Sequence, residues 1–217
     1  MTRALNSGRK GPARADSGVV FLHGYGAEGA DLLGLADPLG RHLPNTAFYA
    51  PDAAEPCINN PMVFQWFPIP WLDGSTSEQA QSSMSQSIRD IDVFLDRVLT
   101  DEGLAANRMV VVGFSQGTMM ALHVAPRRGK VIAGIVGFSG RLLMPELLTE
   151  ARVKPPVLLL HGDEDQMVPF ADMGLAADAL GKAGFDVATH VMKHTGHGIS
   201  PDGLSVALGF LRERLGL

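Results

Sequence analysis

Residues 109–118 read Met-Val-Val-Val-Gly-Phe-Ser-Gln-Gly-Thr. An unbroken apolar run of strand length, rich in β-branched side chains, predicts a strand buried on both faces of a parallel sheet. From Gln116 to Ala125 the pattern is helical and stops at Pro126, where the ring would break an interior hydrogen bond. Strand, tight turn and helix therefore meet at Ser115. So sharp a turn brings together the residues two before and two after the serine, and Gly113 and Gly117 remove the side chains that would collide. In this context Gly-x-Ser-x-Gly holds a serine hydroxyl out at the end of a sheet. The first N–H groups of the following helix favour a negative charge developing there. Ser115 is the candidate nucleophile.

Further from this turn, short β-rich runs alternate with helical patterns. Val19 to Leu22, Thr46 to Ala50, Val131 to Phe138, Pro156 to Leu160 and Asp186 to Met192 read as strands. Asp31 to Leu43, Ser77 to Leu99, Phe170 to Ala183 and Leu204 to Leu215 read as helices. Residues 55–76 contain four prolines, both tryptophans and the single cysteine, Cys57, and are expected to be a long irregular loop of the kind that carries function. Such alternation implies an α/β protein with a mainly parallel sheet and helices on both faces. Sites in such sheets form at the carboxyl ends of strands. That singles out His23-Gly24, Ser115, His161 to Asp165 and His194 to His197.

A length of 217 residues suits one domain spanning 1–217,. Residues 1–16 are expected to be an edge strand, a hairpin or a frayed end. Four Arg/Lys residues precede the first acid there, without the apolar core of a secretory signal. A net charge of −5 and a pI near 5.8 argue against a nucleic-acid partner. No run approaches the length of a membrane span, so no stable membrane insertion is expected. One cysteine cannot build a disulfide framework, and a cytoplasmic location fits. No metal-ligand spacing is present, and the chemistry expected of Ser115 calls for no cofactor.

A serine hydroxyl needs a general base, and on this kind of sheet the chain order is Ser, then acid, then His. His123 falls inside the helix after Ser115, His161 at a strand end, and His190 inside a strand. His197, between Gly196 and Gly198, is the candidate base, with His194 as fallback. The acid should follow the strand ending at Leu160. Asp163 is suited to cap that turn. Asp165 lies further out, where its loop reaches the His197 loop, and is the candidate acid. An oxyanion would be held by the backbone N–H of Gln116 and by one from His23-Gly24-Tyr25-Gly26, with Tyr25 favoured. Trp66, Phe67 and Trp71 are candidate walls of an acyl or alcohol pocket.

Four segments in this order, Phe21-Leu22-His23-Gly24-Tyr25-Gly26, Gly113-Phe114-Ser115-Gln116-Gly117, His161-Gly162-Asp163-Glu164-Asp165-Gln166-Met167-Val168-Pro169 and Gly196-His197-Gly198, resemble the small α/β-hydrolases of the carboxylesterase/phospholipase group. That group has no large cap domain and includes acyl-protein thioesterases. The likeness runs from about Val19 to the last helix. It implies the α/β-hydrolase fold, an acid at Asp165, oxyanion donors at Tyr25 and Gln116, and a small-molecule ester substrate. The expected activity is that of a serine carboxylesterase working through an acyl-enzyme, with acyl-protein thioesterase or lysophospholipase as the alternative. Two departures stand out. Gln65-Trp66-Phe67-Pro68 lacks the aspartate the group has after its Trp-aromatic pair, and Thr118 replaces a second glycine after the elbow. The first leaves substrate preference open, because that loop lines the acyl groove in the group. Leu142, Leu143 and Met144 could line the pocket or the face of a homodimer.

Overall fold

The computed structural model describes residues 2–217, so that Met1 of the expected N-terminal segment lies outside it. The chain runs β1 (Ser7–Lys10), β2 (Ser17–Leu22), α1 (Gly29–Leu33), α2 (Ala36–Gly40), β3 (Thr46–Pro51), β4 (Glu55–Pro56), β5 (Phe64–Gln65), α3 (Pro70–Asp73), α4 (Ser77–Glu102), β6 (Met109–Phe114), α5 (Gln116–Val124), β7 (Gly134–Phe138), β8 (Val157–Gly162), α6 (Ala171–Lys182), β9 (Val187–Met192) and α7 (Pro201–Leu215). Seven strands form one sheet in the order β1-β3-β2-β6-β7-β8-β9. Only β1 is antiparallel to its neighbour, with Gly8 opposite Ala50. This is the α/β-hydrolase fold without a large cap domain, and the N-terminal segment supplies its edge strand.

The period of two along each strand divides the core. Val20, Leu22, Met109, Val111, Val157 and Leu159 face a cluster built with Ile91, Phe94, Leu95 and Val98 of α4, Met120 of α5 and Leu180 of α6. Val19, Phe21, Val110, Val112, Leu158 and Leu160 face the other way, against Leu32, Leu39, Phe210, Leu211 and Leu215. Both faces are therefore covered, which is why the strands read as continuous apolar runs. The central helix α4 begins at a capping box in which Thr76 accepts from the N–H of Gln79,, and it ends at Gly103 in the left-handed region,.

Two expectations need correction. In place of the one helix expected over 31–43 there are two five-residue helices, Gly29–Leu33 and Ala36–Gly40. Pro38 has no N–H to give an interior helix, so it is accommodated in the first turn of a helix that starts afresh at Ala36. The strand expected from Val131 begins only at Gly134; before it, Ala133 donates one backbone bond to Met109 O at 2.8 Å. The 55–76 stretch is mostly irregular, as expected. Its two-residue strands β4 and β5 pair with each other.

Candidate active site

Ser115 turns out of β6 with φ 53° and ψ −115°, a region that L-residues occupy only where surrounding structure enforces it. Its N–H donates to Phe138 O at 2.8 Å, which ties the turn to β7. A Cβ on Gly117 would lie 1.9 Å from Leu22 O, and one on Gly113 2.4 Å from the N of Thr118. Both positions must be glycine for β2, β6 and α5 to meet as they do. Thr118, the departure from the resembled pattern, is buried, and its hydroxyl donates to Phe138 O at 2.8 Å. Space for its methyl comes from Gly137 on β7.

The loop after β8 and the loop after β9 are laced together. Asp163 accepts from the N–H of His194 at 2.7 Å, and the N–H of Glu164 donates to Thr195 O at 3.0 Å. Asp163 thus caps the turn, as its residue type suggests. The lacing sets Asp165 against His197, with His197 Nδ1 2.8 Å from Asp165 Oδ2. The Asp165 side chain is inaccessible to solvent, and that of His197 is one-fifth exposed. Asp165 Oδ1 accepts the N–H groups of Met167 and Val168 at 2.8 and 2.9 Å. Burial pushes this carboxyl up, but the hydrogen bonds from His197, Val168 and Met167 outweigh it and hold the group below its usual range,. An ionised Asp165 fixes the proton of His197 on Nδ1 and leaves Nε2 free to accept one. The imidazole also packs on Phe114, the residue before Ser115, with ring centroids 4.9 Å apart. The structure therefore brings the candidate base to the elbow.

The other histidines are engaged elsewhere. His194 is exposed and turned to Glu164 at 3.3 Å. His190 faces Asp202 at 2.8 Å. His123 is buried in α5. His161 has a part that its strand-end position only hinted at: its Nε2 lies 3.0 Å from Val168 O and 3.2 Å from Asp165 Oδ2.

Gly24 of the loop after β2 approaches Ser115 so closely that a Cβ there would lie 3.3 Å from the serine Cβ. The loop that carries Tyr25 and the first position of α5, Gln116, thus both adjoin the serine. Among the described residues no protein acceptor takes either backbone N–H. The Tyr25 hydroxyl reaches Asp73 Oδ2 at 3.3 Å, and burial, with Cys57 and Asp73 nearby, pushes its pKa up. Asp73 also accepts from the N–H groups of Ile69 and Ser75. It anchors the end of the 55–76 loop, a role its position after Trp71-Leu72 did not announce.

Of the three aromatic wall candidates, Trp66 is corrected. It is 0% exposed, and its indole N–H donates to His23 O at 2.9 Å, so it presents no surface to a substrate. Phe67 is half-buried and Trp71 is 76% exposed. Cys57 is buried and donates to Phe64 O. No group of three His, Cys, Asp or Glu residues suited to a metal occurs among the described residues. No helix among them is long and apolar enough to cross a membrane.

Residues 9–215 match the family model described as Phospholipase/Carboxylesterase. Acyl-protein thioesterase 1 of Gibberella zeae is 28% identical, over 97% of this chain and 98% of that protein. Esterase YpfH of Escherichia coli is 27% identical, over 89% of this chain and 81% of that protein. Among solved structures, esterase PE8 superimposes with a TM-score of 0.92 at 36% identity, covering 98% of this chain and all of that one. SOBER1 of Arabidopsis thaliana, at 24% identity and a TM-score of 0.81 over 93% of this chain and 100% of that one, shares the fold.

Proposed function

This chain belongs to the phospholipase/carboxylesterase family and is a serine hydrolase, and we propose that it is a single-domain carboxylesterase whose triad is Ser115, His197 and Asp165. The observation that carries this reading is the 2.8 Å bond between the inaccessible Asp165 carboxylate and His197, beside a serine held at positive φ.

His197 Nε2 takes the Ser115 proton as Oγ attacks the ester carbonyl carbon. The electron pair of the carbonyl moves to its oxygen, which receives the N–H groups of Tyr25 and Gln116. Asp165 stabilises the imidazolium. His197 then protonates the departing alcohol, leaving an acyl-Ser115 ester. Water, deprotonated by the same imidazole, releases the acid. None of these steps needs a metal or an organic cofactor. Phe67 and Trp71 are the side chains offered to the substrate from the 55–76 loop. A reducing, cytoplasmic compartment suits the lone Cys57.

Acyl-protein thioesterase is the second reading. It is favoured by the names of relatives such as that of Gibberella zeae and by the exposed apolar side chains Met62, Trp71 and Leu72 in the same loop. Hydrolysis of p-nitrophenyl esters from acetyl to palmitoyl, with wild type and Ser115→Ala in parallel, tests the proposal. Best turnover of short chains, abolished in the variant, is the expected result. Activity rising toward long acyl chains moves the thioesterase or lysophospholipase reading ahead. Equal activity of wild type and variant overturns the triad.

A further inference from the structure

The two N–H groups proposed to hold the oxyanion come from separate elements, Tyr25 from the loop after β2 and Gln116 from the start of α5. Their spacing must be kept to within a fraction of an ångström for both to reach one oxygen. The 64–67 segment bridges the two. At one end it pairs with the first loop: Gly26 N donates to Phe64 O at 2.9 Å and Phe64 N to Ala27 O at 3.0 Å. At the other end the Gln116 side chain grips it twice, with Oε1 accepting from Trp66 N–H and Nε2 donating to Phe67 O, both at 2.8 Å. These partners leave the amide only one orientation.

Trp66 is the centre of this bridge. Its indole N–H donates to His23 O, two residues before Tyr25, and its ring lies 5.0 Å from the His23 imidazole. Its own carbonyl accepts from Ser87 of α4 at 2.6 Å. His23 is in turn fixed by Gly24 O at Nδ1 and by the N–H of Ala53 at Nε2. We infer that Trp66 is a positioning residue: its backbone is locked to Gln116 and its indole to the Tyr25 loop, so it sets the separation of the two oxyanion donors. This inference rests on the hydrolase reading above.

The test compares wild type, Trp66→Phe and Ser87→Ala. Trp66→Phe removes the indole N–H and keeps a ring; Ser87→Ala loosens the same residue from the other side. Turnover of p-nitrophenyl acetate is measured with the affinity for an aryl trifluoromethyl ketone. That ketone binds by forming an Oγ–C bond with Ser115, sending the carbonyl pair to oxygen and the hydroxyl proton to His197, so its affinity reads the oxyanion donors. In Trp66→Phe, kcat is expected to fall by roughly 10- to 100-fold, up to the loss of a whole donor, with KM within about twofold. The ketone should weaken by the same factor as kcat/KM. Ser87→Ala should move both readouts in the same ratio by less.

Unchanged kcat and ketone affinity in Trp66→Phe overturn the inference, as does a raised KM with kcat intact. If Trp66→Phe fails to fold by circular dichroism, Ser87→Ala decides: matched losses support the inference and wild-type behaviour overturns it. Labelling of wild type by a fluorophosphonate keeps the two readings apart. A protein not labelled at Ser115 sinks the hydrolase reading and this inference with it, whereas a labelled protein indifferent to both substitutions sinks this inference alone.

Discussion

Asp165 Oδ2 lies 2.8 Å from His197 Nδ1, and His161 Nε2 lies 3.2 Å from the same oxygen. Val168 O, a pure acceptor, is 3.0 Å from that same His161 nitrogen, so the nitrogen carries a hydrogen. That hydrogen is donated to Val168 O, and His161 only lies beside the carboxylate; His197 donates to Asp165 Oδ2 while two backbone N–H groups serve Oδ1. A carboxylate so surrounded stays ionised in an inaccessible place.

Asp165→Asn tests this arrangement. The amide oxygen can still receive the Met167 and Val168 N–H groups, but an NH₂ facing His197 forces the imidazole into the other tautomer. Turnover is expected to fall by about 10³- to 10⁴-fold, as in triads whose acid is neutralised, with the fold retained. A steady-state assay beside circular dichroism checks it. Turnover within about tenfold of wild type would remove Asp165 from the proposed triad.

The elbow glycines supply a stability test. Gly117→Ala places a carbon 1.9 Å from Leu22 O, a backbone atom that cannot move without shifting β2. A loss of at least about 3 kcal/mol, or failure to fold, is expected. Gly174 in α6 is exposed, with nothing within 4 Å of a built Cβ. There Gly174→Ala should stabilise by about 0.5–1 kcal/mol through helix propensity alone. Urea denaturation of both variants is the check, and similar midpoints for the two would contradict the steric account.

The parts of the candidate site that the structure brings together, the Asp165–His197 pair and the Ser115 turn, are legible in the sequence because each is a short motif at a strand end. Gly113-Phe114-Ser115-Gln116-Gly117, His161 to Asp165 and Gly196-His197-Gly198 carry their own geometry, and the sheet places strand ends together. What stayed hidden depends on contacts between distant segments. Trp66 reads as a pocket wall in sequence, because an aromatic in a proline-rich loop commonly is one. Its burial follows from the hold of Gln116 and His23, residues 50 and 43 positions away. Asp73 likewise gathers the Tyr25 hydroxyl and the N–H groups of Ile69 and Ser75, and its bond to Tyr25, 48 positions away, is one that no local pattern reveals. The break at Gly34-Leu35 is concealed by the leucine spacing, since Leu32 and Leu39 share one core despite it.

Thr118 offers a double-mutant test of how the fold absorbs its missing glycine. A Cβ on Gly137 would lie 2.6 Å from Thr118 Cγ2 and 3.5 Å from its Oγ1. Thr118→Ser removes the methyl and keeps the bond to Phe138 O. Gly137→Ala should cost about 1–3 kcal/mol beside threonine and distinctly less beside serine, a coupling of about 1 kcal/mol. Equal costs in both backgrounds, read from denaturant midpoints, would show that Leu159, 3.2 Å from the same position, sets the limit.

His123 links the core to pH. It is 8% exposed, its Nδ1 has no partner among the described residues, and burial, with Arg127 beside it, pulls its pKa down to about 4 against a partial pull from Glu150. Because the folded value lies below the unfolded value of 6.5, the unfolded chain takes the proton first as pH falls. The stability from the neutral imidazole is whole above pH 6.5 and is lost progressively down to about pH 4, on the order of 3 kcal/mol. Burial lowers His23 as well, so its contribution has the same sign. Asp165, held low, loses its share only at still more acid pH. Urea midpoints in wild type should therefore hold from pH 7.5 to about 6.5 and fall from there to pH 4.5, and His123→Leu should flatten that fall while leaving His23 to account for the remainder. A variant with the wild-type slope would show that the His123 proton is not what couples folding to pH.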